Sequence, residues 1–201
     1  MSSERTAYYD AEAGVYDETR GGVDRARAAA EAIAGLVPAT GRLLDVAGGT
    51  GIVSAELAAQ GFDVVVTDVS RGMLWIAAER LPGRVAVATA DRLPVADGSV
   101  DVVTMVWLLH LLPAPVADAV LAEAARVVRP GGHVVTTVDK DLAHGRMRRT
   151  GADAADRVAL VARRLGLQFT GQDSFSSTWG SVSGGDPVFP VACYRRSSGS
   201  A

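Results

Sequence analysis

The chain has 201 residues, of which 48% are hydrophobic and 21% charged, and its formal net charge is −3 at pH 7. This length favours one domain that buries its apolar surface without help from disulfides or metals. The single cysteine, Cys193, excludes an internal disulfide, and the acidic balance argues against a nucleic-acid partner, which normally needs a basic face.

Other features of the sequence argue against a membrane protein, a secreted protein, a metal site and a P-loop. No apolar run reaches the roughly 20 residues that a membrane span requires, and the polar N-terminus shows no secretory signal, so a cytoplasmic protein without a membrane partner is expected. Three scattered histidines and one cysteine predict no metal site. The only lysine, Lys140, is remote in sequence from the glycines, which excludes a P-loop. The basic cluster at 146–149 is interpreted as solvated.

Apolar runs and helical patterns alternate from residue 24 to residue 138, which predicts an α/β domain on a mostly parallel sheet. A first helix is predicted at 24–37. The predicted strands are 42–47, 62–67, 85–89, 100–106 and 133–138, and the later helices are 52–60, 70–80 and 118–128. Ser70 is expected to cap the helix at 70–80, and Trp75 within that helix is interpreted as a core residue.

The C-terminal part changes character after residue 138. A helix is predicted at 153–165, and two alternating segments, 167–178 and 188–195, predict an antiparallel pair at one sheet edge. Cys193 is then a buried strand residue. The expected fold is a doubly wound, Rossmann-like, seven-stranded sheet, mostly parallel with an antiparallel C-terminal edge and helices on both faces. One domain is expected over residues 1–196, with a frayed tail at 197–201.

The stretch Leu43-Leu-Asp-Val-Ala-Gly-Gly-Thr-Gly51 predicts a strand that enters a glycine-rich turn and opens a helix. Glycines let a ligand approach the backbone closely, and the helix N-terminus offers free N–H groups. Ser54 stands where a dinucleotide fingerprint has its third glycine. Serine is small enough to be tolerated there, so the turn alone leaves an NAD(P)-dependent oxidoreductase open.

Three aspartates help to choose the ligand. Asp45 precedes the glycines, where a carboxylate would repel a pyrophosphate and attract a cationic amino group. Asp68 ends the second strand, in the position that accepts hydrogen bonds from ribose hydroxyls. Asp91 follows the third strand and can accept a hydrogen bond from an adenine amine. Together they favour a ligand with a cationic amino acid end and an adenosine end.

Six motifs in order resemble the class I S-adenosylmethionine-dependent methyltransferases over roughly residues 8–140. They are Leu43 to Gly51, Asp68-Val-Ser, Gly72-Met-Leu, Ala90-Asp-Arg-Leu-Pro-Val, Asp101-Val-Val and Arg126-Val-Val-Arg-Pro-Gly-Gly. Ala47 replaces the usual glycine, and the Ala-Gly-Gly-Thr-Gly variant is similar to the quinone-methylating branch, for which the chain is short. A helix from Tyr8 to Arg20 resembles the N-terminal lid segment of the family members that act on small molecules. In this chain the lid segment would be residues 1–23.

The resemblance implies that S-adenosyl-L-methionine is the cofactor and S-adenosyl-L-homocysteine the product. Tyr16 would lie over the methionine end, Met73 and Leu93 would sandwich the adenine ring, and backbone groups near Trp107 would touch the methionine portion. The full implied set is Tyr16, Arg20, Asp45, Ala47, Gly48, Gly49, Thr50, Gly51, Asp68, Val69, Met73, Ala90, Asp91, Arg92, Leu93 and Trp107.

The implied reaction moves a methyl group to O, N, C or S of a small-molecule acceptor, and secondary metabolism is the expected setting. His110 follows the fourth strand, at the sheet edge where active-site residues lie. It is the candidate general base because the unperturbed pKa of histidine is near neutral. A satisfied buried histidine is the alternative interpretation. The oligomeric state and the acceptor cannot be inferred from the sequence.

Overall fold

The computed structural model describes residues 3–145, 151–176 and 186–198. Its strands are β1 (Gly41–Val46), β2 (Phe62–Asp68), β3 (Val85–Val87), β4 (Val100–Met105), β5 (Val128–Thr137), β6 (Leu167–Ser176) and β7 (Val188–Arg196). Its α-helices are α1 (Ser3–Glu12), α2 (Gly22–Ala34), α3 (Ile52–Ala59), α4 (Arg71–Arg80), α5 (Ala114–Val127), α6 (Lys140–Ala143) and α7 (Ala155–Arg164). Residues 199–201 of the predicted tail and the basic cluster at 146–149 lie outside the described residues.

The seven strands form one sheet in the order β3-β2-β1-β4-β5-β7-β6. Strands β1 to β5 pair in parallel, whereas β7 is antiparallel to both β5 and β6. The strand order reverses between β1 and β4, and ligands in open α/β sheets bind beyond the carboxyl ends of strands at such a point. The predicted mostly parallel sheet with an antiparallel C-terminal edge is confirmed.

Apolar side chains cover both faces of the sheet, as alternation along buried strands requires. On β1, Leu43 packs into the cluster formed with α2, α3 and α4, while its neighbour Leu44 packs into the cluster formed with α5 and α7. The prediction of helices on both faces is confirmed, and Cys193 is fully buried in β7. In the part of the chain described, no helix is both long and apolar enough to cross a bilayer.

Three local predictions are wrong. The fifth strand is predicted to begin at residue 133, but β5 begins at Val128, directly after helix α5 ends at Val127. The reason is that Val128 pairs with Val100 before the register shifts around residues 129–132. Trp75 is 75% exposed, since Met73, Leu74 and Ala77 occupy the buried face of α4. The expected continuous helix from residue 8 to residue 20 is instead the end of α1 followed by two short 3₁₀ turns.

Candidate functional site

The glycine-rich turn between β1 and α3 has a backbone conformation that residues other than glycine rarely adopt. Ala47, Gly49 and Gly51 all adopt left-handed conformations, with φ of 58°, 58° and 69°. Gly48 is required for space, because a Cβ atom there would lie 2.5 Å from Asp45 Oδ2. The turn therefore passes directly over the Asp45 carboxylate.

Asp45 is a buried carboxylate at the end of β1, only 2% exposed. Its oxygens accept hydrogen bonds from the hydroxyls of Ser54 (2.5 Å) and Thr104 (2.7 Å). Burial raises the pKa of Asp45 to about 6, despite the opposing effect of these two hydrogen bonds. A cationic ligand beside Asp45 would stabilise the charged form of this carboxylate, which burial disfavours.

Asp68 lies at the end of the neighbouring strand β2. Its carboxylate accepts hydrogen bonds from the backbone N–H groups of Gly49 (3.0 Å) and Ser70 (2.9 Å), and burial raises its pKa. Ser70 caps α4 as predicted, with its side chain accepting from the Met73 N–H at 3.1 Å. Asp68 thus connects the glycine-rich turn to the start of α4.

A cleft of about 850 Å³, including its open mouth, lies against this turn; we call it the central cleft. The predicted residues that line it are Tyr16, Arg20, Asp45, Ala47, Gly48, Gly49, Thr50, Asp68, Met73 and Trp107. A smaller side cleft of about 380 Å³ is lined by three more predicted residues, Val69, Ala90 and Asp91, together with Ala47 and Asp68. The two clefts share Ala47 and Asp68, so they form one continuous candidate site.

Three of the predicted residues are not among the described residues that line these clefts. Gly51 is the left-handed N-cap of α3. Leu93 is buried in the core, and its backbone N–H donates to Glu123 Oε1 at 2.7 Å. Arg92 is exposed. Their roles toward a cofactor stay predictions.

The N-terminal segment is fastened to the site by two carboxylates that the sequence analysis did not single out. Asp17 accepts a 2.6 Å hydrogen bond from the Thr50 hydroxyl and forms a 2.7 Å ion pair with Arg80. Asp10 accepts hydrogen bonds from the Ser70 hydroxyl (2.6 Å) and the Gly72 N–H (2.9 Å). A signal was present, because both acids follow a tyrosine, at positions seven residues apart.

A third cleft, which we call the cationic cleft, encloses about 800 Å³ including its open mouth. It is lined by Tyr8, Tyr9, Tyr16, Arg20, Arg25, Trp107, His110, Leu111, Lys140 and Phe189. Tyr9, Tyr16, Arg20, Arg25, Trp107 and Leu111 also line the central cleft. The two cavities therefore adjoin.

The predicted base, His110, lies in the cationic cleft next to a residue that the sequence analysis had set aside. Lys140 Nζ is 2.8 Å from His110 Nε2. Burial, followed by the charges of Arg25 and Arg20, lowers the pKa of Lys140 to about 8. Two nitrogen bases thus share a hydrogen bond at the wall of this cleft.

Trp107 lines both larger clefts and is held in an unusual backbone conformation. Its φ is 55°, and its backbone N–H donates to the Thr137 hydroxyl at 2.7 Å. The Arg25 guanidinium stacks 3.6 Å from the centre of the Trp107 ring. Within the described residues, the buried indole N–H of Trp107 has no hydrogen-bond acceptor, and a buried donor of this kind is costly unless a ligand satisfies it.

Comparison with known proteins shows what the central part of the chain is similar to. A family model described as a methyltransferase domain matches residues 44–136. The demethylmenaquinone methyltransferase of Beutenbergia cavernae is 48% identical over 95 residues, which cover 47% of this chain and 39% of that protein. The enzyme of the same name from a Parafrankia species is 41% identical over 153 residues, covering 63% and 59%. Residues 44–136 of this chain therefore resemble a methyltransferase domain.

A solved structure supports the predicted fold along most of the length of this chain. A possible histamine N-methyltransferase from Thermotoga maritima superposes with a TM-score of 0.72, covering 94% of this chain and 99% of that one at 19% identity. The chain spans about half the length of the curated relatives it matches. The match of 44–136 includes the glycine-rich turn, Asp45, Asp68 and His110, but neither the N-terminal segment nor Lys140.

Proposed function

We propose that the protein binds S-adenosylmethionine across the central and side clefts and transfers its methyl group to O, N, C or S of a small-molecule acceptor in the cationic cleft. One observation carries this proposal: two buried carboxylates, Asp45 and Asp68, end adjacent strands around a left-handed glycine turn. S-adenosylhomocysteine is the product to be released.

The residues present fit this cofactor. The buried Asp45 favours a cationic amino group, since a positive charge offsets the burial that raises its pKa. Asp68 is placed for ribose hydroxyls at the end of β2, and Asp91 in the side cleft for an exocyclic amine. Trp107 lines both larger clefts, and its buried indole N–H has no acceptor among the described residues.

Asp45 and Asp91 oppose the alternative of an NAD(P)-dependent oxidoreductase, whereas Asp68 is a feature that NAD-binding folds share. The Asp45 carboxylate lies directly under the glycine turn, since Asp45 Oδ2 is 2.5 Å from the position that a Cβ at Gly48 would take. A pyrophosphate at this turn would therefore lie beside that carboxylate. Like charges at such separations in a buried site are strongly unfavourable. The similarity of residues 44–136 to a methyltransferase domain does not favour that alternative either.

The protein's own contribution to methyl transfer is alignment and exclusion of water. The bound sulfonium supplies an activated methyl group together with its leaving group. Tyr16 and Trp107 line both larger clefts and would hold the acceptor in line with that methyl. The N-terminal segment covers the site, held by the Asp17 contact with Thr50. The base is proposed to lie in the hydrogen-bonded pair of His110 and Lys140, whose nitrogens are 2.8 Å apart.

The acceptor is proposed to be a small molecule with a ring. The relatives' printed names, demethylmenaquinone methyltransferase, support a ring acceptor, as do the aromatic side chains around the cationic cleft. The setting in secondary metabolism stays a prediction from the sequence.

Calorimetric titration tests the cofactor directly. S-adenosylhomocysteine is expected to bind with micromolar affinity, and NADH is expected not to bind. Asp45→Asn should weaken S-adenosylhomocysteine binding about tenfold, because it removes a charge interaction worth roughly 1.4 kcal/mol. Asp24→Asn, a change of the same charge at an exposed position of α2, is the matched control. Binding of NADH without S-adenosylhomocysteine would overturn the proposal.

A further inference from the structure

The cationic cleft has an unusual charge balance for a cavity of its size. Arg20, Arg25, Lys140 and His110 line it. Among the described lining residues none carries a carboxylate, and the sequences of 146–150 and 177–185 contain no aspartate or glutamate. A protonated amine would be repelled in this cleft, whereas an anion would be attracted.

The two arginines are positioned by aromatic residues. Arg25 is 8% exposed and stacks on the Trp107 ring, and one of its nitrogens donates to the Arg20 carbonyl oxygen. Arg20 donates to the Tyr8 hydroxyl at 3.3 Å and lies 5.3 Å from the centre of the Tyr16 ring. Burial lowers the pKa of Arg25 only to about 10, so the group stays cationic at neutral pH. Stacked guanidinium groups hold planar anions well.

The walls of the cleft also limit the shape of its ligand. Tyr9, Trp107 and Phe189 place aromatic rings around the cavity, and Trp107 contacts Phe189 edge to face at 5.8 Å. Planar rings pack favourably against such surfaces. The ligand that best matches both walls and charges is an aromatic acid.

The Lys140–His110 pair supplies a site for a proton in the same cavity. The neighbouring charges oppose each other: Arg25 and Arg20 disfavour the Lys140 ammonium, and Asp153 and Asp141 favour it, with burial as the largest influence. The resulting pKa, about 8, leaves an appreciable fraction of neutral amine at pH 7 to 8. A neutral amine held by His110 Nε2 at 2.8 Å can accept a proton from a bound hydroxyl.

We propose that the acceptor is an aromatic hydroxy acid whose carboxylate is bound by Arg20 and Arg25 and whose hydroxyl gives its proton to Lys140, paired with His110. This inference rests on the proposed function. The O–H bond breaks and the proton moves to Lys140 Nζ, which becomes an ammonium. The acceptor oxygen forms the new bond to the methyl carbon, and the C–S bond breaks with its electron pair left on sulfur.

The first test compares charged and neutral probes on the protein saturated with S-adenosylhomocysteine. 4-Hydroxybenzoate and 1-hydroxy-2-naphthoate are each titrated beside their neutral amides. At least one acid is expected to bind about tenfold more tightly than its amide. Arg20→Gln should reduce that preference, because Arg25 alone remains to bind the carboxylate, whereas Arg163→Gln, on the exposed side of α7, should preserve it. Equal binding of every acid and its amide would overturn the inference.

The second test follows the proton by ultraviolet absorbance, which distinguishes a phenol from a phenolate. At pH 8 the bound acid is expected to show more phenolate than the free acid. Lys140→Gln and Lys140→Arg should both lose this excess, because neither side chain accepts a proton. A phenol spectrum in the unaltered protein would contradict the role of Lys140. Failure of S-adenosylhomocysteine itself to bind would instead refute the proposed function, so the two failures are distinguishable.

Discussion

The Asp17 carboxylate accepts a hydrogen bond from the Thr50 hydroxyl at 2.6 Å, joining the N-terminal segment to the glycine-rich turn 33 residues further along the chain. Arg80 reinforces the contact, since it pairs with Asp17 and also donates to the Thr50 carbonyl oxygen at 2.7 Å. The N-terminal segment, whose residues line the candidate site, is therefore fixed through the turn that is proposed to hold the cofactor. Cofactor binding and the position of the segment are expected to be coupled.

Removing the Asp17 charge tests this coupling. Asp17→Asn should weaken S-adenosylhomocysteine binding about five- to tenfold, because a charge-assisted hydrogen bond at a partly exposed site contributes roughly 1 kcal/mol. Calorimetry measures the change. Asp24→Asn serves as the control, since it removes the same charge from an exposed position on α2. Equal affinities for the two variants would show that the segment does not support the site.

Gly48 is predicted to be irreplaceable for steric reasons. A Cβ there would lie 2.5 Å from Asp45 Oδ2 and 2.9 Å from Val66 Cγ1, so Gly48→Ala should lower the free energy of unfolding by about 1 to 3 kcal/mol and impair cofactor binding. At Gly14 a Cβ would meet no atom within 4 Å. Gly14→Ala is therefore the matched control, expected within about 0.5 kcal/mol of the parent. Chemical denaturation compares the two, and similar losses would refute the packing argument.

The ionisation of Asp45 should make cofactor binding depend on pH. Burial raises its pKa from 3.8 to about 6, so the free protein holds a proton there below pH 6. A cationic amino group favours the ionised carboxylate, and binding below pH 6 must therefore release that proton. Affinity for S-adenosylhomocysteine should be level above about pH 7 and fall below pH 6, approaching tenfold per pH unit.

Calorimetry in two buffers of different ionisation enthalpy counts the released proton. Near pH 5, binding should release close to one proton from the parent protein. Asp45→Asn should bind more weakly at pH 8 and lose this dependence, because the amide cannot titrate. A flat affinity between pH 5 and pH 8 in the parent protein would exclude Asp45 as the partner of the amino group.

Much of the site follows from strand ends, which can be located by sequence pattern. Asp45 and Asp68 end β1 and β2, and parallel strands bring their carboxyl ends to one edge of the sheet. The pair Lys140 and His110 obeys the same rule, since they follow β5 and β4, which are neighbours. The sequence analysis missed that pair because it considered Lys140 only against the glycine-rich turn. Neighbouring strands, rather than distance along the chain, determine which residues meet.

Other features depend on tertiary packing that no local pattern contains. Trp75 lies two positions from Met73 and two from Ala77, both buried, so helical geometry turns it to solvent. Val128 begins β5 directly after α5 because it pairs with Val100, and the glycines that follow occupy the register shift. The Asp17 contact with Thr50 can be predicted only when the path of the N-terminal segment over the glycine-rich turn is known. These contacts are set by elements distant in sequence.

Lys140 offers a direct spectroscopic check of the cationic cleft, because it is the only lysine in the chain. Isotope-labelled lysine gives one side-chain signal in nuclear magnetic resonance spectra, and that signal should titrate with a pKa of about 8. The charge of Arg20 opposes protonation, so Arg20→Gln should raise this pKa, whereas Arg163→Gln, on the exposed side of α7, should leave it unchanged. A bound carboxylate should raise it as well, since an anion favours the ammonium. Titration at the ordinary value of 10.5 in the unaltered protein would show that Lys140 is solvated and plays no part in the cleft.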